Sequence, residues 1–289
     1  MTQQSRALIL GIITIFCWGS IATFGNLLIH LPPFYVLGVS FFLGALPSLI
    51  KPREIFSSFK IFVFGVAGYF GYHFFLFYAF RFSPAVEANL INYMWPVLMV
   101  MFTPVFFKNV KLAWYNILGA IMAIIGCGLL VFGTEAESRT EDIYLGYLLA
   151  ACAAITWPLY SIIKKKLPPT SIWAVGGFCF GASLLCFATH WMIEPRVVLQ
   201  SHDVWILLAM GIGPFGIAFY CWDKACLLGD IKILGALAYL TPVISTLGLV
   251  FFANKSLSST TGVAMILIIG GASSGLLDFL PPKILKNRS

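Results

Sequence analysis

Asn89, Tyr93 and Pro96 stand at i, i+4 and i+7 in the stretch "NLINYMWP". In a helix they share one face. They offer an amide, a hydroxyl and a backbone carbonyl, because proline lacks an N–H and crowds the carbonyl four residues back, here that of Asn92. Pro242 in "AYLTPV" does the same to Ala238, with Tyr239 beside it, and Pro158 follows Trp157 inside another apolar run. These groups accept and donate hydrogen bonds. None is a strong acid, base or nucleophile, so the chemistry they suit is holding a solute. Aromatic residues supply the rest: Trp18, Tyr78, Trp95 and Trp157 also lie within apolar runs. Flat rings with a few fixed hydroxyls and amides suit an amphipathic solute of no net charge.

His73, in "YFGYHFFLFY", has two readings. With an ordinary pKa of about 6.5 it is a proton carrier at cellular pH; buried and neutral, it is a ring satisfied by a neighbouring hydroxyl or carbonyl. Glu87, one turn into its run, is read as an anion at the positive end of a helix dipole. Enzyme motifs are missing. There is no HExxH and no pair of aspartates within an apolar run, and "GASSG" at 271–275 matches GxSxG only as a string, without the strand-to-helix elbow that motif needs. The seven cysteines form no CxxC pair and read as small packing residues. No cofactor or metal site is implied.

The elements that must carry these residues follow from composition. The chain is 60% hydrophobic and 10% charged, against roughly 25% charged in soluble domains. Spanning a bilayer takes about 20 mainly apolar residues. Ten such segments are expected, at 7–29, 34–50, 61–80, 84–107, 112–133, 143–163, 171–193, 204–222, 233–253 and 256–277. The first is too long for the core of a signal peptide, so it reads as a permanent span. With the amino terminus inside, 14 of the 18 Lys and Arg fall on the cytoplasmic face; only Arg81, Arg139, Arg196 and Lys255 fall outside, along with an acidic loop at 134–142. That bias puts both termini in the cytoplasm. Lys164, Lys165 and Lys166 read as a cytoplasmic stop, with some attraction to anionic membrane lipid. Nothing forms a basic surface for nucleic acid.

A shift of 146 residues places Gly65 on Gly211, Ala79 on Ala225, Tyr93 on Tyr239, Pro96 on Pro242 and Val97 on Val243. "GAIMAIIGCG" and "GVAMILIIGG" close the two halves. The fold class expected is therefore all-α and integral to the membrane, two five-helix repeats at 1–133 and 143–289 joined by the 134–142 linker. Five is odd, so the second repeat enters from the other side. Inverted repeats place a site at their junction, near mid-membrane. Glycines recurring every three residues, at Gly65, Gly68 and Gly71, read as small faces that let helices approach.

The order "YAFRFSPAVEANLINYMWPV" then "GAIMAIIGCG", weakly repeated, resembles the ten-helix exporters of the bacterial drug/metabolite transporter superfamily. "CWGS" at 17–20 and the aromatic third helix look most like its YddG-type aromatic amino-acid exporters. Many relatives carry a Gly-Glu pair between the last two helices of each half; here those places read Lys108-Asn109 and Asn254-Lys255. The resemblance implies a secondary active exporter of aromatic amino acids or similar metabolites in the inner membrane, working by alternating access, with a monomer as the simplest assembly. The runner-up is a multidrug or cationic-compound exporter, with a membrane-embedded enzyme behind it. The substrate-lining set expected is Trp18, His73, Tyr78, Asn89, Tyr93, Trp95, Trp157 and Tyr239, with kinks at Pro96, Pro158 and Pro242.

Overall fold

The computed structural model describes residues 2–56, 58–133, 142–238, 240–242, 244, 245, 248 and 259–273. Every described element is helical. The α-helices are α1 (Gln3–Gly19), α2 (Ile21–Leu27), α3 (Pro33–Ala45), α4 (Phe59–Ala79), α5 (Ala85–Asn92), α6 (Trp95–Phe106), α7 (Trp114–Gly133), α8 (Asp142–Lys166), α9 (Ala174–Ile193), α10 (Ser201–Ile212), α11 (Ala218–Leu228), α12 (Ile231–Ala238) and α13 (Ser259–Ser273). A wide π-helical turn, Gly213–Ile217, joins α10 to α11. Among the described residues, seven stretches are long and apolar enough to cross a membrane: Gln3–Leu27, Pro33–Ile50, Phe59–Ala79, Glu87–Phe106, Asp142–Lys166, Ala174–Ile193 and Ser201–Leu228. Shorter apolar helices run over Trp114–Gly126, Ile231–Pro242 and Gly262–Gly271. Apolar side chains such as Phe16, Ile124, Leu148, Leu184 and Ile266 face outward along them. This is a multi-pass membrane protein.

Local sequence sets the helix ends. Thr2 caps α1 by accepting from the Ser5 amide at 3.1 Å, and Gln200 with Asp203 forms a reciprocal capping box on α10. Pro33 opens α3, where its missing N–H costs nothing. Glu194, from the end of α9, accepts the Phe34 amide at 3.0 Å, putting a carboxylate on the positive end of α3. The first span, expected over 7–29, runs over Gln3–Leu27. It carries a one-residue turn at Ser20, whose hydroxyl donates to the Cys17 carbonyl at 2.6 Å and competes with the helix ladder.

α3 lies against α9, α7 against α13, α4 against α8, and α1 against α11. α6 contacts both α8 and α12. The α4 glycines do more than admit a bare backbone. A Cβ on Gly68 would stand 2.5 Å from the Tyr160 ring, so Gly68 is the recess that lets that ring sit between α4 and α8. Gly65 does the same for Phe178 of α9. By contrast Gly271 meets backbone, since its Cβ would fall 2.3 Å from the Gly119 carbonyl oxygen of α7.

Candidate functional site

Four tryptophans meet in the core. Trp18, at the end of α1, has its ring centroid 5.1 Å from Trp222, 5.3 Å from Trp157 and 6.2 Å from Trp95. Their exposures are 9% for Trp18, 3% for Trp95, 2% for Trp157 and 1% for Trp222. Near helix ends, Trp114, Trp191 and Trp205 are 72%, 90% and 73% exposed, as expected of an interfacial belt. Burial thus separates two uses of one residue type. Phe219 touches Trp18 and Trp157, and Tyr69 packs on Phe219 at 4.5 Å. Most contacts are tilted or edge-to-face, the geometry aromatic quadrupoles favour.

Polar groups lie among these rings. Asn92 donates to the Tyr72 hydroxyl at 3.0 Å, and Tyr72 packs on Trp157 at 5.4 Å. Among the described residues, Trp157 Nε1 and Asn92 Oδ1 are buried here without a hydrogen-bond partner. Buried polar groups are nearly always paired, so two such atoms close together among the rings stand out. His73 is 3% exposed, with Nδ1 2.7 Å from the Tyr69 carbonyl. A carbonyl only accepts, so Nδ1 carries the hydrogen. Phe41, Tyr72, Phe215 and Phe219 ring the imidazole, which leaves it one shell from Trp157 through Phe219.

Asn89 and Tyr93 lie apart from the tryptophans. Asn89 Nδ2 donates to the Tyr93 hydroxyl at 3.2 Å, and Tyr93 packs with Ile91, Tyr147 and Ile268. Nearby, the Tyr147 hydroxyl of α8 donates to the Glu87 carboxylate, so Glu87 also ties α5 to α8. Tyr78 sits at the end of α4, stacked on Phe74 with Arg81 5.7 Å from its ring centroid. Tyr239 lies outside the described residues. Around Pro96 the chain does more than bend: α5 stops at Asn92, Tyr93 and Met94 form a turn, and Pro96 is the second residue of α6. α8 runs on through Pro158, and Pro242 is buried in a helical segment.

The lysine run is not simply a solvated stop. Lys164 Nζ is 2.9 Å from Asp223 Oδ2, with side chains 3% and 2% exposed. Lys165 donates to the Cys226 carbonyl at 3.1 Å and to that of Gly229, closing the end of α11. Only Lys166 of the three is exposed. Lys165 also lines a cavity of about 480 Å³ with Phe106, Phe107, Lys108 and Asp230. Sequence reasoning missed Asn92's side chain, Tyr69, Tyr160, Phe219, Trp222 and the Lys164–Asp223 pair. The available signal was the spacing i, i+3, i+4, i+7 of Phe219, Trp222, Asp223 and Cys226.

A solved crystal structure superposes with a TM-score of 0.80 at 33% identity, covering 95% of this chain and 97% of its own. The aromatic amino acid exporter YddG of Ancylobacter novellus is 32% identical, over 95% of this chain and 98% of its own length. YddG of Escherichia coli is 25% identical over 68% of each chain, and a probable amino-acid metabolite efflux pump of Salmonella typhimurium is 23% identical over 86% of this chain and 87% of its own. The model of the EamA-like transporter family matches residues 5–132 and 143–274. A buried aromatic cluster, spans long enough for a bilayer and both matched segments place this chain in the EamA-like transporter family.

Proposed function

We propose that the chain is a secondary active exporter of aromatic amino acids or closely similar amphipathic metabolites. One observation carries the reading: the four buried tryptophans come two from each family-matched segment, Trp18 and Trp95 from 5–132, Trp157 and Trp222 from 143–274. The junction of two such halves is where their relative motion opens and closes access. The YddG relatives, named aromatic amino acid exporters, support the solute class.

The helix contacts support an inverted duplication with ten spans. Exchanging α1 with α8, α3 with α9, α4 with α10 and α11, and α7 with α13 turns each strong pairing into another: α4–α8 becomes α11–α1, while α3–α9 and α7–α13 map onto themselves. On this reading Trp18, Trp95, Trp157 and His73 hold the ring portion of the solute. Asn89, Tyr93 and Tyr78 serve the outer part of the path, and Tyr239 is the second-half counterpart of Tyr93. Both termini are cytoplasmic in the inner membrane.

The test is counterflow in proteoliposomes with a panel of radiolabelled amino acids and cationic dyes. Accumulation of Trp, Phe or Tyr over aliphatic and charged amino acids is the expected result. Dye transport without amino-acid transport would replace this reading with the multidrug one.

A further inference from the structure

Two facing stripes run down α8 and α11. On α8, Trp157, Tyr160, Ser161 and Lys164 fall at i, i+3, i+4 and i+7, all buried. On α11, Phe219, Trp222, Asp223 and Cys226 repeat that spacing, also buried. The two helices run the same way. Trp157 meets Phe219 at 5.8 Å, Trp222 Nε1 donates to Ser161 at 3.1 Å, and Lys164 meets Asp223. Each stripe is aromatic at one end; at the other, one carries a cation and its partner an anion. Tyr160 couples the ends: it stacks on Trp157 at 5.2 Å and 29°, and its hydroxyl donates to Asp223 Oδ1 at 3.0 Å. Lys164 Nζ completes its shell with Thr170 at 3.1 Å.

A buried ion pair is weak grounds for stability, because desolvation offsets the attraction and an apolar pair would pack as well. Nor does this pair lock the two halves together, since α8 and α11 both lie in the matched segment 143–274. Contacts between the halves at this end are made by other groups: Ser48 with Tyr220, Ser171 with Glu54, and Gln4 with the Asp230 amide. What remains distinctive is an ammonium and a carboxylate, side by side, one turn below an aromatic wall. From Tyr160 to Lys164 is about 6 Å of helix axis, the reach from the ring of an aromatic amino acid to its α-carbon substituents.

We propose that Lys164 and Asp223 recognise the charged ends of a zwitterionic aromatic amino acid, its carboxylate on Lys164 Nζ and its ammonium on Asp223. The proposal rests on the export reading above and names its charge-reading residues. A zwitterion opens the pair and satisfies both members, leaving no buried charge alone. An aromatic amine would strand Lys164 and an aromatic acid would strand Asp223, and a stranded buried group is what makes a polar site reject the wrong ligand.

The experiment compares tryptophan, tryptamine and indole-3-propionate as competitors of tryptophan counterflow. In the unmutated protein both analogues should compete at least about tenfold more weakly than tryptophan. Lys164→Gln should weaken tryptophan by about tenfold or more without weakening tryptamine, since no buried ammonium is then stranded, which erases the carboxylate preference. Asp223→Asn should erase the ammonium preference in the same way. If either neutral variant fails to fold, Lys164→Arg and Asp223→Glu keep the charge but move it; each should still weaken tryptophan more than the analogue lacking the group that it reads. An unmutated protein that discriminates, with variants that discriminate equally well, overturns the assignment and leaves the export reading standing. Wild-type affinity and selectivity in the charge-exchanged Lys164→Asp/Asp223→Lys protein would also overturn it, because the charges would then serve only each other. An unmutated protein that transports no aromatic amino acid overturns both.

Discussion

At the level of single residues, the tryptophans and Tyr93 have separable roles. Trp157 stacks with Tyr160 and touches Trp18, Tyr69 and Tyr72, and its Nε1 is unpaired. An aromatic contact is worth about 0.5–1.5 kcal/mol beyond burial, and about 1.4 kcal/mol is tenfold in affinity. Trp157→Ala or Trp95→Ala should therefore raise the apparent Km for the aromatic substrate roughly threefold to tenfold. Trp157→Phe should recover much of that loss, and size-exclusion profiles should show that each variant remains folded. Tyr93→Phe keeps its ring in the packing with Ile91 and Tyr147 but removes the acceptor for Asn89. Its expected signature is a larger loss for amino-acid transport than for a hydrophobic dye. Equal loss on both would make the hydroxyl a packing detail.

At the level of elements, the break between α5 and α6 is the feature with a direct test. Pro96 has no N–H for the Asn92 carbonyl, and α6 restarts around it. Pro96→Ala supplies the missing donor and lets α5 run into α6. One added helix hydrogen bond is worth about 0.5–1.5 kcal/mol, so a straightened conformer should be favoured by roughly twofold to tenfold. Turnover should slow by a similar factor with expression intact, and hydrogen exchange at Tyr93 and Met94 should slow with it. Faster or unchanged turnover would reduce the break to a packing feature. Pro242→Ala is expected to act the same way. Gly68→Leu should be more damaging than either, because its side chain would displace the Tyr160 ring and with it the hydroxyl on Asp223; loss of folded protein on a thermal-stability assay is the expected readout.

For the whole molecule, orientation has a direct test in labelling from the two faces. Pro168 lies exposed in the turn after α8, and Val198 lies exposed between α9 and α10. Single cysteines at these two places, in a background without the native ones, should label on opposite faces. The Pro168→Cys protein should resist an impermeant reagent in intact cells, and Val198→Cys should react. Thr170 is a poorer probe because it is half-buried and bonded to Lys164. The reverse pattern would turn the protein over and place the Lys164 end outside.

Much of this architecture was legible in the residues alone. Apolar length specifies spans because lipid leaves a backbone no hydrogen-bond partner but itself. Pro96 was readable as a break because its covalent chemistry acts within one turn. Trp18, Trp95 and Trp157 stood out because their depth conflicts with a belt position. Tertiary structure alone decided which of these residues meet. Helical periodicity says which face Lys164 shares with Trp157, but not that Asp223, 59 positions away, faces it. A lysine at the end of an apolar run looks like a membrane stop whether it ends in water or in an ion pair, since only the neighbouring helix determines which solvent it sees. Trp222 stands at the end of the span expected at 204–222, and only the fold, by bringing α11 against α1, buries it beside Trp18. Conversely Tyr93 shares a face with Pro96 by spacing yet packs in a different cluster from the tryptophans, because the turn at Tyr93 and Met94 redirects the chain.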